Sequence, residues 1–310
     1  MIAALTLAVA VSVSGTADTV VTVAPETRLW IRNLQGEVTI QTWSKNAVRV
    51  RSQGSSREKV RFTRRGPSVT IDSKRGPSSR RSQYTVTVPS WMSVALVSPD
   101  ASANVRGMKG DLMVRTVNGG VNVEDNEGLI YLSSVQGPIR VVRARGRLEV
   151  NTVNGPISLD AISGWVNAET VNGPIELARM LGDSVEASTV NGPVTFDGSL
   201  RQGGWYRFAT HRGDIDVSLP ASPDARVTVT TYAGEFESDV PVHSPRTRER
   251  KHLTFTLGDG RSWLQLESFL GRIRLSKSTP GARRAPPPAF EWPDHLSSTS
   301  DEDHDEEDKE

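Results

Sequence analysis

Thr152-Val153-Asn154-Gly155-Pro156-Ile157-Ser158-Leu159 is the stretch that decides how this chain is read, because it comes back. It returns at residues 170–177 and 189–196, and more loosely at 134–141 and 116–123. Gly119, Gly137, Gly155 and Gly173 stand 18 residues apart, and Gly192 follows after 19. So regular a repeat specifies an architecture and carries no chemistry of its own.

With each glycine as position zero, apolar residues recur at minus seven, minus five and minus two, then at plus two and plus four. Around Gly155 these are Leu148, Val150, Val153, Ile157 and Leu159; around Gly173 they are Val166, Ala168, Val171, Ile175 and Leu177. The residues between are polar or mixed, which is the period of a strand with one buried face. Each unit therefore holds two short strands separated by turns, and a second set (Gly110, Gly128, Gly146, Gly164) lies nine residues before the first. Strand, turn, strand, turn at constant length predicts an all-β, single-chain β-solenoid of the parallel β-helix or β-roll kind, whose stacked coils share one core. Strand spacing of about 4.8 Å turns every position of the repeat into a ladder along the axis.

Two polar ladders follow. Thr116, Ser134, Thr152, Thr170, Thr189, Thr210, Thr231 and Ser268 form a hydroxyl column, and Asn118, Gln136, Asn154, Asn172 and Asn191 an amide column. The expected corner places the hydroxyls outside, the valine inward and the amides at the bend. Gly119, Gly137, Gly155, Gly173 and Gly192 supply an unusual φ, and proline restarts the strand. Ice or saccharide binding by the threonines calls for a flat two-column face, and the adjoining columns are mixed. Calcium binding of the β-roll kind calls for aspartates in Gly-rich nonapeptides, which are missing.

The register continues beyond the clean copies: Ala101 and Gly213 fit as zero positions, then Gly234, with Gly271 closing the series. Between the last two lie 37 residues, among which His252-Leu253-Thr254-Phe255-Thr256-Leu257 reads as an extra strand. Leu29, Ile31, Leu34, Gly36, Val38 and Ile40 carry a first unit. After it, Val48-Arg49-Val50-Arg51, Val60-Arg61-Phe62, Val69-Thr70-Ile71 and Tyr84-Thr85-Val86-Thr87-Val88 alternate apolar with polar. The turn chemistry of Gly54-Ser55-Ser56, Gly66-Pro67 and Gly76-Pro77-Ser78-Ser79 separates these runs, so antiparallel hairpins are expected as an insertion there. The domain plan is a leader at 1–17, a strand unit with Arg-rich hairpins at 18–100, solenoid repeats at 101–276, and a disordered tail at 277–310.

With these elements the chain resembles a bacterial putative-adhesin family of β-strand-repeat proteins, catalogued as a domain of unknown function. The matching elements run from Val86-Thr87-Val88-Pro89, through the Thr-Val-Asn-Gly-Pro series, to Leu219-Pro220. They end in Leu257-Gly258-Asp259-Gly260 and Gly271-Arg272-Ile273-Arg274-Leu275. The resemblance spans residues 29–275 and implies an exported cell-envelope β-solenoid. Its motifs are structural and transfer no catalytic residue.

The rest of the chain bears on compartment and partners. Residues 2–13 are apolar and lead into Ser14-Gly15-Thr16-Ala17, as a secretory leader cleaved after Ala17 would, although no Lys or Arg precedes the run. A buried first strand is the competing reading of the same residues. There is no cysteine, which removes disulfides, thiolate catalysis and Cys-ligated metals. The net charge of +1 conceals twelve Lys/Arg against Glu58 and Asp72 between 45 and 81, and ten acids against Lys309 between 291 and 310. These opposite blocks allow an intramolecular contact between tail and hairpins. The tail is Pro-rich and then acidic, and such a composition buries no core. The basic block lacks interleaved aromatics and any nucleic-acid motif, so no nucleic-acid partner is expected.

His211-Arg212-Gly213-Asp214-Ile215-Asp216 is the most chemical-looking departure from the repeat. His211, Arg212, Asp214 and Asp216 are the binding candidates, although alternation predicts His211 inside and Asp216 outside. No nucleophile elbow, P-loop, dinucleotide fingerprint or metal-ligand spacing appears, so no catalytic residue, cofactor or metal is expected. The leading function is a non-enzymatic exported envelope protein presenting a solenoid surface to an envelope polymer, a glycan or a protein. The alternatives are a polysaccharide-active enzyme, favoured by Asp with Arg or Lys converging in a groove from successive coils, and a component of envelope-stress sensing.

Overall fold

The 18-residue period becomes a parallel hydrogen-bonded ladder. Ile139 pairs with Ile157, Ile157 with Ile175, Ile175 with Val194, and Val194 with Ile215. The computed structural model describes residues 10–14, 17–53, 59–74, 82–241 and 252–278. The first nine residues, the Gly54-Ser55-Ser56 and Gly76-Pro77-Ser78-Ser79 turns and the tail from 279 lie outside the described residues.

Each coil contributes one strand to each of two walls. Wall one holds the strand before the Asn-Gly corner, as in Ser184–Asn191; wall two holds the strand after it, as in Val194–Gly198. Val121–Gln136 and Ile139–Asn154 run from wall two into wall one around the opposite corner without a break. That corner turns on left-handed backbone at Asp125, Arg143, Ala161 and Arg179, with φ between 51° and 67° at all six such non-glycine residues. Gly128, Gly146 and Gly164 follow at φ 112°, 125° and 107°, a region L side chains avoid.

Alternation puts Leu148, Val150, Ile157 and Leu159, with their copies in the other coils, into one continuous core between the walls. Phe196 from wall two stacks tilted on Phe208 of wall one at 4.9 Å and meets Tyr206 edge-on at 6.0 Å. The buried Tyr206 hydroxyl donates to the Gly182 carbonyl at 2.7 Å and accepts the Arg201 N–H at 2.8 Å, and burial raises its pKa.

The Asn-Gly corner has the opposite sense from the expectation. Thr116, Ser134, Thr152, Thr170, Thr189, Thr210, Thr231 and Ser268 are buried, while Val117, Val135, Val153, Val171 and Val190 are exposed. The inward hydroxyls donate to the glycine carbonyl of the preceding coil: Thr170 to Gly155 at 3.2 Å, Thr189 to Gly173 at 3.1 Å, Thr210 to Gly192 at 2.9 Å. A corner carbonyl turned away from the sheet ladder needs a donor, and a buried hydroxyl supplies it. The amides do form the ladder, with Asn172 donating to Asn154 and Asn191 to Asn172, both at 2.8 Å.

The glycines serve a different purpose from the expected one. Of the five, Gly192 has a positive φ, 156°; Gly119, Gly137, Gly155 and Gly173 have none, but a Cβ on any of these four would stand 2.2 Å from the carbonyl oxygen of the zero residue one coil earlier. Close backbone approach, not torsional freedom, excludes a side chain there.

Both ends depart from sequence order. Residues 68–89 are more than a hairpin insertion: Ser68–Lys74 and Ser82–Pro89 stack in parallel on Arg28–Arg32 and Gly36–Trp43. That first unit is thus sandwiched against Ser93–Ser98 and Ala101–Arg106 on its other side. The hairpin pairing is present as well, with Lys59–Arg65 antiparallel to Ser68–Lys74 and Ala47–Gln53 antiparallel to Ser82–Pro89. Ala17–Thr22 and Ala10–Ser14 extend these edges, so part of the expected leader pairs as strand.

At the other end Gly271 does not close the series. Trp263–Ser268 inserts between Trp205–Arg212 and Ala225–Thr231, and Ile273–Lys277 between Ile215–Leu219 and Phe236–Ser238. His252–Leu257, the extra strand, lies antiparallel on Ala225–Thr231. Antiparallel strands at the ends terminate a parallel ladder that otherwise offers open apolar layers. The ladder passes residue 100 without interruption, and the chain up to Ser278 is one compact unit.

Candidate binding groove

The outward positions of wall one are minus eight, minus six and minus four. They are mostly polar, but several coils place aromatic rings there: Trp30 and Tyr131 at minus six, and Trp165, Trp205 and Trp263 at minus eight. Three of these rings carry an arginine: Arg32 lies 5.0 Å from the Trp30 centroid, Arg115 5.0 Å from Tyr131, and Arg147 4.1 Å from Trp165. Such stacking holds flexible guanidinium groups against flat faces.

Between Trp30 and Tyr131 the ladder carries Ala95 and then Met113, and the small Ala95 and Ser93 lower the surface. The result is a groove of about 590 Å³, rimmed by Arg28, Trp30, Asp111, Tyr131, Arg147 and Glu149. A second recess of about 570 Å³ shares Arg28 and Ser93 with it and reaches Trp91 and Glu26. Trp30 and Tyr131 are three strand spacings apart, about 14 Å along the axis.

The polar groups of this groove are unspent. Among the described residues, the side chains of Arg28, Asp111, Tyr131, Arg147 and Glu149 have no hydrogen-bond or ion-pair partner, the Arg115–Tyr131 and Arg147–Trp165 stacks aside. Further along the same wall the outward charges satisfy one another. Arg207 donates to Glu186 at 2.8 Å and to Glu267 at 3.1 Å, and these hydrogen bonds raise its pKa. Asn167 donates to Glu169 at 3.1 Å. The opposite corner is also self-paired: Arg143 binds Asp125 at 2.6 Å and also Glu124. The Arg143 hydrogen bond holds the Asp125 carboxyl below its ordinary value, with Arg106 adding at 3.5 Å.

The four candidates from the sequence sit elsewhere. His211 is exposed and stacks on Phe269 at 4.6 Å; Phe269 in turn stacks on Tyr232 at 4.5 Å, continuing the outward valine column. His211 lies outside where alternation places it inside, because the minus-two column from Val117 to Phe269 faces outward, Leu34 of the first unit being buried. Arg212 is exposed and its carbonyl accepts the Gly192 N–H. Asp214 accepts the Arg272 backbone N–H at 2.8 Å, and Asp216 faces outward on wall two beside Thr195 and Arg274. Among the described residues no three His, Asp or Glu side chains gather as a metal site would require. His243, His295 and His304 lie outside the described residues.

The sequence signal for the groove lies in outward positions that do not repeat: at minus six, Trp30, Ala95, Met113 and Tyr131 stand in a column that elsewhere carries Glu149, Asn167, Glu186, Arg207, Gln265 and Thr228.

Stacked two-stranded coils around one shared core define an all-β, β-solenoid-like fold. The chain belongs to the Toastrack DUF4097 family, whose profile matches residues 27–275. A solved structure of a putative cell adhesion protein from Clostridium sporogenes is similar at 10% identity, over 85% of this chain and 100% of that one, with a TM-score of 0.25. No curated protein matches the chain.

Proposed function

We propose that this protein is a non-enzymatic, exported cell-envelope module that binds an envelope component through the groove on wall one. The observation that carries it is the contrast along a single wall. Outward charges are paired to one another at Arg207, Glu186 and Glu267, and left open around Trp30 and Tyr131. Exposed aromatics beside unpaired hydrogen-bonding groups on a rigid ladder form a preorganised binding surface. Export rests on the family resemblance and the apolar residues 2–13 ahead of small residues.

The groove also favours the second reading, a polysaccharide-active enzyme, since Asp111 and Glu149 join Arg28 and Arg147 there from every second coil. Against it, Asp111 is exposed and Glu149 only half-buried, so neither sits in the enclosed apolar setting of a general acid. Their strands are two coils apart and two residues offset, a backbone separation of about 12 Å, wide for a glycosidase pair.

The test is retention of the purified chain on envelope preparations of its own organism, with Trp30→Ala/Tyr131→Ala as the comparison. Retention by the wild type and loss in the double variant support the reading; equal retention removes the groove from it. Release of reducing ends, abolished by Asp111→Asn, would establish the enzyme instead. N-terminal sequencing of the exported chain is expected to begin at Asp18; a start before Ala10 would keep strand Ala10–Ser14 in the mature fold.

A further inference from the structure

We propose that the groove on wall one takes a neutral, polyhydroxylated saccharide chain lying along the solenoid axis, with sugar faces on Trp30 and Tyr131. The inference rests on the binding role above and narrows its ligand. Three observations carry it. The rings of Trp30 and Tyr131 flank a floor of Ala95 and Met113; Arg32 and Arg115 lie over one face of each ring, so the opposite faces and the small apolar floor are what a pyranose ring covers with its C–H face.

The four charged rim groups cancel: Arg28 and Arg147 against Asp111 and Glu149. A polyanion gains at two of these positions and is repelled at the other two. A hydroxylated chain uses all four, because each hydroxyl both donates and accepts: guanidinium groups supply donors, carboxylates supply acceptors, and the Tyr131 hydroxyl does either. Finally, Trp30 and Tyr131 stand three ladder steps apart along the axis, about 14 Å, so a chain of several sugars reaches both rings where a single sugar reaches one. The adjoining recess, with Trp91 and Glu26, continues the same chemistry beyond Arg28.

The experiment titrates the full chain with purified gluco-, manno- and galacto-configured neutral oligosaccharides, with polygalacturonate, and with an unstructured peptide rich in aromatic residues. Binding of at least one neutral series is expected, changing less than about twofold between 50 and 500 mM NaCl because no counterions are released. Trp30→Ala and Tyr131→Ala are each expected to weaken it about tenfold, and Arg147→Ala/Glu149→Ala to weaken it further. Arg207→Ala, on the same wall beyond the groove, should bind as wild type.

Preference for polygalacturonate with a steep salt dependence, or for the peptide, overturns the saccharide assignment while leaving the binding role intact. Failure of every neutral series, with envelope retention still lost in Trp30→Ala/Tyr131→Ala, does the same. Failure of all probes together with no envelope retention overturns both. Unchanged thermal unfolding of the alanine variants separates a lost contact from a lost fold.

Discussion

Gly155→Ala is the sharpest perturbation of this fold. The added methyl carbon would lie 2.2 Å from the Gly137 carbonyl oxygen and 2.7 Å from its carbon, against the 3.4 Å at which ordinary contact begins. The coils must part by about 1.2 Å at that corner, and the obstacle is backbone on both sides, with no side chain to swing away. Parting stretches the Gly137 N–H to Asn154 carbonyl bond, already 3.3 Å, and the Thr152 hydroxyl to Gly137 carbonyl bond at 3.4 Å. Overpacking of about 1–3 kcal/mol and two hydrogen bonds of about 1 kcal/mol each give an expected loss of about 3–5 kcal/mol. Urea unfolding followed by circular dichroism measures it. Gly120→Ala is the internal standard, since its methyl group meets only the Pro138 ring edge and carbonyl at 3.3–3.5 Å. If Gly155→Ala costs no more than Gly120→Ala, close coil approach is not what keeps glycine at this corner.

Two further perturbations test other parts of the same account. Thr210→Val keeps the shape but strands the Gly192 carbonyl, whose bond is 2.9 Å, and should cost about 1 kcal/mol, whereas Val153→Thr on the exposed column should be near neutral; reversed costs would restore the hydroxyls-outside corner. The Asp125 carboxyl has its folded pKa lowered, chiefly by the Arg143 hydrogen bond, so its contribution is fully present above the unfolded value of about 3.9 and is lost as pH falls through the lower folded value. Urea midpoints should therefore fall below about pH 4, and less steeply in Asp125→Asn; identical acid slopes would remove this pair from the pH response.

The placement of the groove explains how a structural repeat hosts a specific surface. Inward positions are constrained by every neighbouring coil, so they vary chiefly in apolar size, as from Ala187 to Phe208, with buried Asn126 beside Ala144 a polar exception. Outward positions carry no such constraint, and a few non-repeating residues suffice to build a site on an already rigid frame.

What the sequence determined by itself is the register. A spacing of 18 with apolar residues two apart allows one arrangement of strands that buries them all, and Leu148, Val150, Ile157 and Leu159 occupy it as expected. The inward placement of Thr152 was present there too, since it has the parity of Leu148 and Val150; the apolar character of Val153 masked it. What only tertiary structure decided is the stacking order at the ends and the role of the corner glycines. Any coil with matching columns fits against any other, so periodicity cannot say that Gly271 sits between Gly213 and Gly234, or that Ser68–Lys74 and Ser82–Pro89 lie outside Arg28–Arg32 and Gly36–Trp43. A glycine needed for close approach reads in sequence the same as one needed for φ. The groove belongs to the same class: it exists because Trp30, from the sandwiched first unit, is brought within three ladder steps of Tyr131, 101 positions later in the chain.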